Sequence, residues 1–373
     1  MPPDSPQAKD TALQPAGRQT FAAFELASVL SHYDLGVIEE IHEFPKGSRK
    51  APKLILKTDA GEYLLKRRAP SAFDREKAAF THGLQVHLAN KGFPLPRLMV
   101  TRSQERTMLR LSEQTYEVFQ YIRGDAYDFS LDATRDSGQT LGIFHGLLQK
   151  YASNYTPPRG SYHASRSVMT ALGMLEETLT RHAARAAPPE AETLERMSPL
   201  DRSPAELTAH LRSCYVDAVR KCESLGIKRW PSQVIHADWH GGNMLFRARR
   251  VVAVIDYDTS RYGPRVIDTA NGALQFSMSS GGADPTAWGD GIEEDRFAAF
   301  LSGYDDAEND VLAQAELAAI PHLMIEALLA ESVLPIAQTG FFARMDGQPF
   351  LSMIRRKVGW IRDHAERLVS LVE

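Results

Sequence analysis

Val234-Ile-His-Ala-Asp-Trp-His-Gly-Gly-Asn-Met-Leu-Phe246, followed by Val251-Val-Ala-Val-Ile-Asp-Tyr-Asp258, sets clusters of polar residues between apolar runs. Runs of this length and character are expected to form short strands that deliver the polar groups at their ends. Asp238 and Asn243 are five residues apart, and Asp256 lies thirteen beyond Asn243. Asp256 is a hard oxygen donor suited to Mg2+, and Asn243 adds a neutral oxygen. Asp238 is left to accept or orient a proton, work in which a positioned base contributes roughly 10² to 10⁴ in rate. Gly241 and Gly242 are expected to let the chain bend tightly between base and metal ligand. His236, Asp238 and His240 alternate, and on one strand face they would offer a zinc-type donor set. No further His or Cys cluster completes that set, and it leaves Asn243 and Asp256 without a role.

An aspartate after an apolar run is, by itself, usually a cap or turn residue; here three polar groups stand at correlated spacings. The order H-x-D-x-x-x-x-N followed by D matches the catalytic loop and metal-binding aspartate of protein-kinase-like phosphotransferases. With Ile255-Asp-Tyr-Asp-Thr-Ser-Arg-Tyr-Gly-Pro-Arg-Val-Ile-Asp268 added, the chain resembles the aminoglycoside phosphotransferase and choline kinase superfamily, most closely its homoserine-kinase-like and spore-coat kinase-like branch. The likeness follows the order of elements from Phe21 to Val372 and is most specific from Val234 to Ala270. It implies an α+β, two-lobed protein-kinase-like fold with a small β-rich N-lobe and a larger, mostly helical C-lobe. It also implies an ATP- and Mg2+-dependent kinase that moves the γ-phosphate to a hydroxyl of a small acceptor. In that reading Asp238 is the catalytic base, Asn243 and Asp256 hold Mg2+, and Asp268 braces the catalytic loop. His236, His240 and Asp258 support the loop and the metal ligand.

Upstream, Tyr63-Leu-Leu-Lys66 resembles the strand whose lysine contacts the α- and β-phosphates of ATP. Family members commonly carry a helix glutamate about sixteen residues later to orient that lysine, and here the position is His82. Glu76 on the same predicted helix is a candidate substitute. The nucleotide-covering turn corresponds to Phe44-Pro-Lys-Gly-Ser-Arg-Lys50, with Gly47 and Ser48 at its tip. With a single glycine it reads equally well as a plain turn. Adenine is expected against backbone groups of the hinge, Gln120, Tyr121 and Ile122. No GxxxxGK[ST] motif occurs, which removes the P-loop class.

The remaining sequence supplies the frame. In 373 residues, 43 Lys and Arg face 47 Asp and Glu, a net charge of −4 that argues against a nucleic-acid partner. Two cysteines, Cys214 and Cys222, make no disulfide framework. Residues 1–17 read as a disordered tail, 18–121 as the nucleotide-binding N-lobe with strands at 54–57, 63–66, 97–101, 107–111 and 115–121, and 122–373 as the helical C-lobe. A helix is expected over 71–91, and further helices near 137–149, 167–182, 205–225, 294–304, 316–336 and 350–371. The Ala-, Pro- and Glu-rich stretch 183–204 reads as a flexible insertion. Ile320 to Ala337 is apolar but interrupted by His322, Glu326 and Glu331, so a buried helix is expected, not a membrane span. These features favour a cytoplasmic enzyme with no membrane partner. Nine acidic residues against Arg296 between 281 and 310 suit either a wall for a cationic acceptor or solvated helix starts. The alternative function is a catalytically weak nucleotide-binding or structural relative acting as an interaction module.

Overall fold

The computed structural model describes residues 19–44, 50–69, 74–185, 190–279, 282–307 and 311–372. The chain divides into two compact units, one containing the residues up to Arg75 with Pro96–Tyr121, the other Glu76–Leu95 with Ile122 onward.

In the first unit, helix α1 (Ala23–Leu30) precedes a five-stranded antiparallel sheet of β1 (Ile38–Glu43), β2 (Lys53–Thr58), β3 (Gly61–Arg67), β4 (Leu109–Leu111) and β5 (Gln114–Gln120), ordered β1-β2-β3-β5-β4. Strict alternation buries Leu54 and Leu56 of β2 and Tyr63 and Leu65 of β3 on one face. They pack with Val29, Tyr33, Tyr116 and Val118. Strand β1 is not anticipated from its sequence, Ile-Glu-Glu-Ile-His-Glu, because it lies at the sheet edge and is almost wholly exposed. An edge strand rich in charge carries no core-facing stripe to read. The strand expected at 97–101 reduces to a single bridge, Leu98 to Phe119.

Helix α2 (Arg75–Asn90), expected to begin at Ser71 within residues now outside the described set, groups from Glu76 onward with the second unit. Its Phe80, Leu84 and Leu88 join Phe93 and Leu95 in that unit's core. The rest of the second unit is built from α3 (Leu131–Leu148), α4 (Arg166–Ala183), α5 (Ala191–Arg196), α6 (Pro199–Arg202), α7 (Pro204–Leu225), the paired strands β6 (Ser232–Ile235) with β9 (Arg261–Pro264) and β7 (Met244–Arg247) with β8 (Arg250–Val254), α8 (Arg265–Ser277), α9 (Glu294–Asp305), α10 (Gln314–Thr339), the two-residue pair β10 (Phe341–Phe342) and β11 (Met345–Asp346), α11 (Gly347–Asp363) and α12 (Ala365–Ser370). By length and composition α10 could cross a membrane, but most of it is buried inside the fold. It packs against α4, α7, α8 and α11. The last predicted helix breaks at His364 into α11 and α12.

The stretch at 183–204 is not a flexible insertion where it is described. Asp201 of α6 is 1% exposed and accepts two bonds from Arg355 of α11, at 2.6 and 2.9 Å, and Met197 is buried beside it in sequence. Its Ala- and Pro-rich composition suggested a loop, but tertiary contacts hold the short helices.

Candidate functional site

The polar cluster of the second unit is organised by the hairpin β7–β8. Met244 stands opposite Val254, and the Ile255 N–H continues the ladder to the Asn243 carbonyl at 2.9 Å. Asn243 and Asp256 therefore stand at the same hairpin end despite the thirteen-residue separation in sequence. Ahead of β7, the segment after β6 closes in a 3-10 turn at Gly241–Asn243. Asp256 is exposed, Asn243 buried, and Asp258 half-buried in the following 3-10 turn, Tyr257–Thr259.

Two residues here, Ala237 and Asp256, hold left-handed backbone, with φ of 64° and 66°. Aspartate tolerates this region; for alanine it costs on the order of 1–3 kcal/mol and persists only where the surroundings dictate it. Asp268 of α8 dictates it. Its carboxylate, fully buried, accepts the His236 N–H at 2.6 Å and the Ala237 N–H at 2.7 Å, successive amides converging on one anion. His145 of α3 adds its Nε2 at 3.3 Å from the same carboxylate and is itself oriented by Tyr304 Oη at 2.8 Å. Trp239, fully buried, donates its indole N–H to the Ser137 carbonyl at 3.3 Å and anchors the loop from beneath.

Asp238 carries the exposed end of this arrangement. The Asn243 side-chain amide donates both to the Asp238 backbone carbonyl, at 3.0 Å, and to its Oδ2, at 2.8 Å. That fixes Asn243 Oδ1 as the oxygen turned away from Asp238. On the other side His240 Nε2 lies 3.6 Å from Asp238 Oδ1, and His240 Nδ1 accepts the Gly242 N–H at 3.0 Å. With Nδ1 accepting, neutral His240 carries its proton on Nε2, toward the carboxylate. Burial pushes the Asp238 carboxyl up, but His240 and Asn243 outweigh it and hold the group below the ordinary aspartate value. Hydrogen bonding to Asp238 raises His240.

Both glycines of the loop serve close approach, not left-handed conformation. Neither has positive φ. A Cβ on Gly241 would lie 2.9 Å from the Tyr127 side chain, and one on Gly242 would lie 2.8 Å from the His240 ring. The zinc alternative does not assemble. The His236 ring, buried and driven toward its neutral form by that burial, sits 3.3 Å from the Ile255 carbonyl, while His240 faces Asp238. β6 ends at Ile235 and Ala237 turns left-handed, so the alternation on which a shared face depended is broken.

In the first unit, Lys66 of β3 pairs in register with Glu117 of β5, and its Nζ is 3.9 Å from Glu117 Oε2. Glu117 is fully buried and also bonded by Arg68 Nε. A cross-strand acid thus accompanies the lysine, a partner the helix-glutamate expectation missed; Glu117 shows in sequence only as a charge in an otherwise core-facing strand. His82, buried, and Glu76 belong to α2 in the other unit. Gly47 and Ser48 lie outside the described residues. At the expected hinge, the Gln120 N–H donates to Arg97 and the Tyr121 N–H to Glu62, each at 2.8 Å, so these two amides are engaged within the sheet unit. Ile122 opens the second unit.

Glu331 of α10 was expected only as an interruption of an apolar helix. It is exposed, and the Gln275 amide nitrogen contacts both carboxylate oxygens at 2.8 and 2.7 Å. The surrounding protein, and then the charge of nearby Asp238, raise its carboxyl above the ordinary value. No Lys or Arg pairs with it among the described residues. By contrast four acids of the stretch 281–310 stand in ion pairs: Asp284 with Arg196, Asp290 with Arg356, Glu294 with Arg367 and Asp306 with Arg135.

The phosphotransferase enzyme family, APH, matches residues 40–318. No curated protein matches the chain. Among solved structures, an amicoumacin kinase in complex with AMP-PNP, Ca2+ and its ligand superposes with a TM-score of 0.63 at 13% identity, covering 91% of this chain and 93% of that one. A microcompartment-associated aminopropanol kinase gives 0.61 at 15% identity, covering 93% and 98%. An aminoglycoside phosphotransferase from Alicyclobacillus acidocaldarius gives 0.58 at 17% identity, covering 93% and 94%. The two-lobed α+β kinase-like fold is shared with them, and the chain belongs to the phosphotransferase enzyme family, whose members transfer phosphate to hydroxyl groups.

Proposed function

We propose that this protein is an ATP-dependent small-molecule kinase whose acceptor is a cationic, hydroxyl-bearing compound of the amino-alcohol or aminosugar kind. The observation that carries the kinase reading is the Asp238–Asn243 pair, locked by two hydrogen bonds, at the hairpin end that also carries Asp256. The donor set fits Mg2+, because the Asp256 carboxylate and Asn243 Oδ1 are hard oxygens. When bound there, Mg2+ neutralises charge on the nucleotide phosphates. Lys66, accompanied by buried Glu117, is the cation for phosphate oxygens in the first unit.

Phosphoryl transfer requires positioning and charge compensation more than strong proton abstraction. Asp238 suits that demand. Its carboxylate is held ionised by His240 and Asn243, so it orients the acceptor hydroxyl and takes its proton as the bond to phosphorus forms. Glu331 supports the acceptor class: its exposed carboxylate, with no Lys or Arg paired to it among the described residues, suits an ammonium group. Kinases of related fold that are named for aminopropanol or complexed with amicoumacin agree with this class.

The reading is tested by ADP release over ethanolamine, choline, homoserine, aminoglycosides and neutral sugars, with Asp238→Asn as control. We expect turnover with an amine-bearing acceptor and a loss of at least about 10² in kcat in the variant, with ATP affinity retained. Because Asp238 titrates below the usual carboxylate range, the base imposes no acid limb above about pH 4. Unchanged turnover in Asp238→Asn removes the base assignment.

A further inference from the structure

Remote in sequence from the catalytic loop, three metal-ligating side chains of different kinds meet in the core of the second unit. His163 precedes α4, Cys222 lies near the end of α7, and Glu326 is midway along α10; one donor atom from each falls within 4.8 Å of the others. Glu326 and Cys222 are fully buried, and His163 nearly so. His163 Nδ1 lies 2.9 and 3.0 Å from the two Glu326 oxygens, and the Ala164 N–H donates to Oε2 at 3.1 Å. His163 Nε2 is buried with no hydrogen-bond partner. No Lys or Arg pairs with Glu326 among the described residues; His163 and the Ala164 N–H are the polar groups set against this unexposed carboxylate.

We propose that His163, Cys222 and Glu326 form a binding site for a thiophilic divalent cation, with Zn2+ the best match. A thiol and an imidazole select Zn2+ over Mg2+, which prefers an all-oxygen set such as Asp256 and Asn243. A tetrahedral ion with bonds of about 2.0–2.3 Å separates its ligand atoms by roughly 3.3–3.7 Å. To reach that geometry the close His163–Glu326 contact opens by roughly 0.4–0.8 Å and separations of up to 4.8 Å contract by roughly 1.1–1.5 Å. Burial, reinforced by Glu326, pushes the Cys222 thiol up, so the free site keeps the thiol proton. Binding transfers that proton, and any proton on the coordinating His163 nitrogen, to solvent; thiolate and carboxylate together then neutralise the ion. The neighbouring Tyr162 Oη donates to the Ile267 carbonyl at 2.7 Å, one residue before the Asp268 brace.

The test is a Co2+ titration of the chelator-stripped full chain in excess Mg2+, followed by Zn2+ competition. We expect one equivalent of Co2+ with a sulfur-to-cobalt charge-transfer absorption, bleached by Zn2+ and retained in Asp256→Ala. Cys222→Ser, which puts a hydroxyl in place of the thiol, loses the absorption while its metal-free melting curve matches the parent. His163→Gln weakens Co2+ binding at least about tenfold and serves if the serine variant does not fold. A wild type with no charge-transfer absorption, or an absorption that survives Cys222→Ser, overturns the proposal.

Discussion

Glu331 shows how a single side chain acquires meaning only from its neighbours. In sequence it is one of three polar interruptions of an apolar run; in the fold it joins Asp238 and His240 in one electrostatic environment. Glu331→Gln is expected to raise KM for amine-bearing acceptors about tenfold, the scale of one lost charge-assisted contact, with kcat and the KM of neutral acceptors little changed. The raised carboxyl protonates above the ordinary glutamate range as pH falls, so KM for amines rises on the acid side first. The variant abolishes that dependence. Steady-state kinetics from about pH 5 to 8 decide it, and equal effects on neutral acceptors rule out the cation role. That Asp238, Asn243 and Asp256 meet at one hairpin end, with Asp268 bracing the loop, was legible from their short, fixed spacings. Glu117, His145 and Glu331 were not, since each reaches its partner across strands or between distant helices.

Strands were legible where burial alternates along them. Strands β2 and β3 bury every second residue and were read from that alternation, whereas edge strand β1 has no buried face to announce it. Helix α8 was read as motif and not as helix; eleven of its thirteen residues are buried. The short helices α5 and α6 depend instead on a tertiary tie, Asp201 to Arg355. Arg355→Ala leaves a buried carboxylate without its cation and is expected to cost about 3–5 kcal/mol. Arg355 and Ser198 outweigh burial and hold Asp201 below its ordinary value. Its contribution is therefore full above the unfolded aspartate range, near pH 4, and is lost as pH falls through the folded value. Chemical denaturation at pH 7 and at pH 3 checks this: the wild-type advantage over Arg355→Ala shrinks at the lower pH. An equal difference at both removes the ion pair as its cause.

At the scale of the whole chain, ligand binding to the folded state raises its melting temperature, by about 2.7 kcal/mol of stabilisation at a hundredfold excess over Kd. ATP with Mg2+ is expected to shift the melting curve upward, and Asp256→Ala to lose most of the Mg2+-dependent part. Absence of any shift in the wild type counts against nucleotide binding. The net charge of −4 argued against a nucleic-acid partner but left the acidic stretch open, because summed charge does not reveal that four of its members are paired with Arg135, Arg196, Arg356 and Arg367. By itself the sequence determined the kinase-like family and singled out Asp238, Asn243, Asp256 and Asp268 as candidates, since their residue types and spacings lie along one local stretch. Only the tertiary structure decided the partner of Lys66, the steric need for Gly241 and Gly242, the ordering of residues 191–202 and the meeting of His163, Cys222 and Glu326. Those depend on which surfaces pack together, and packing joins residues that no local spacing connects.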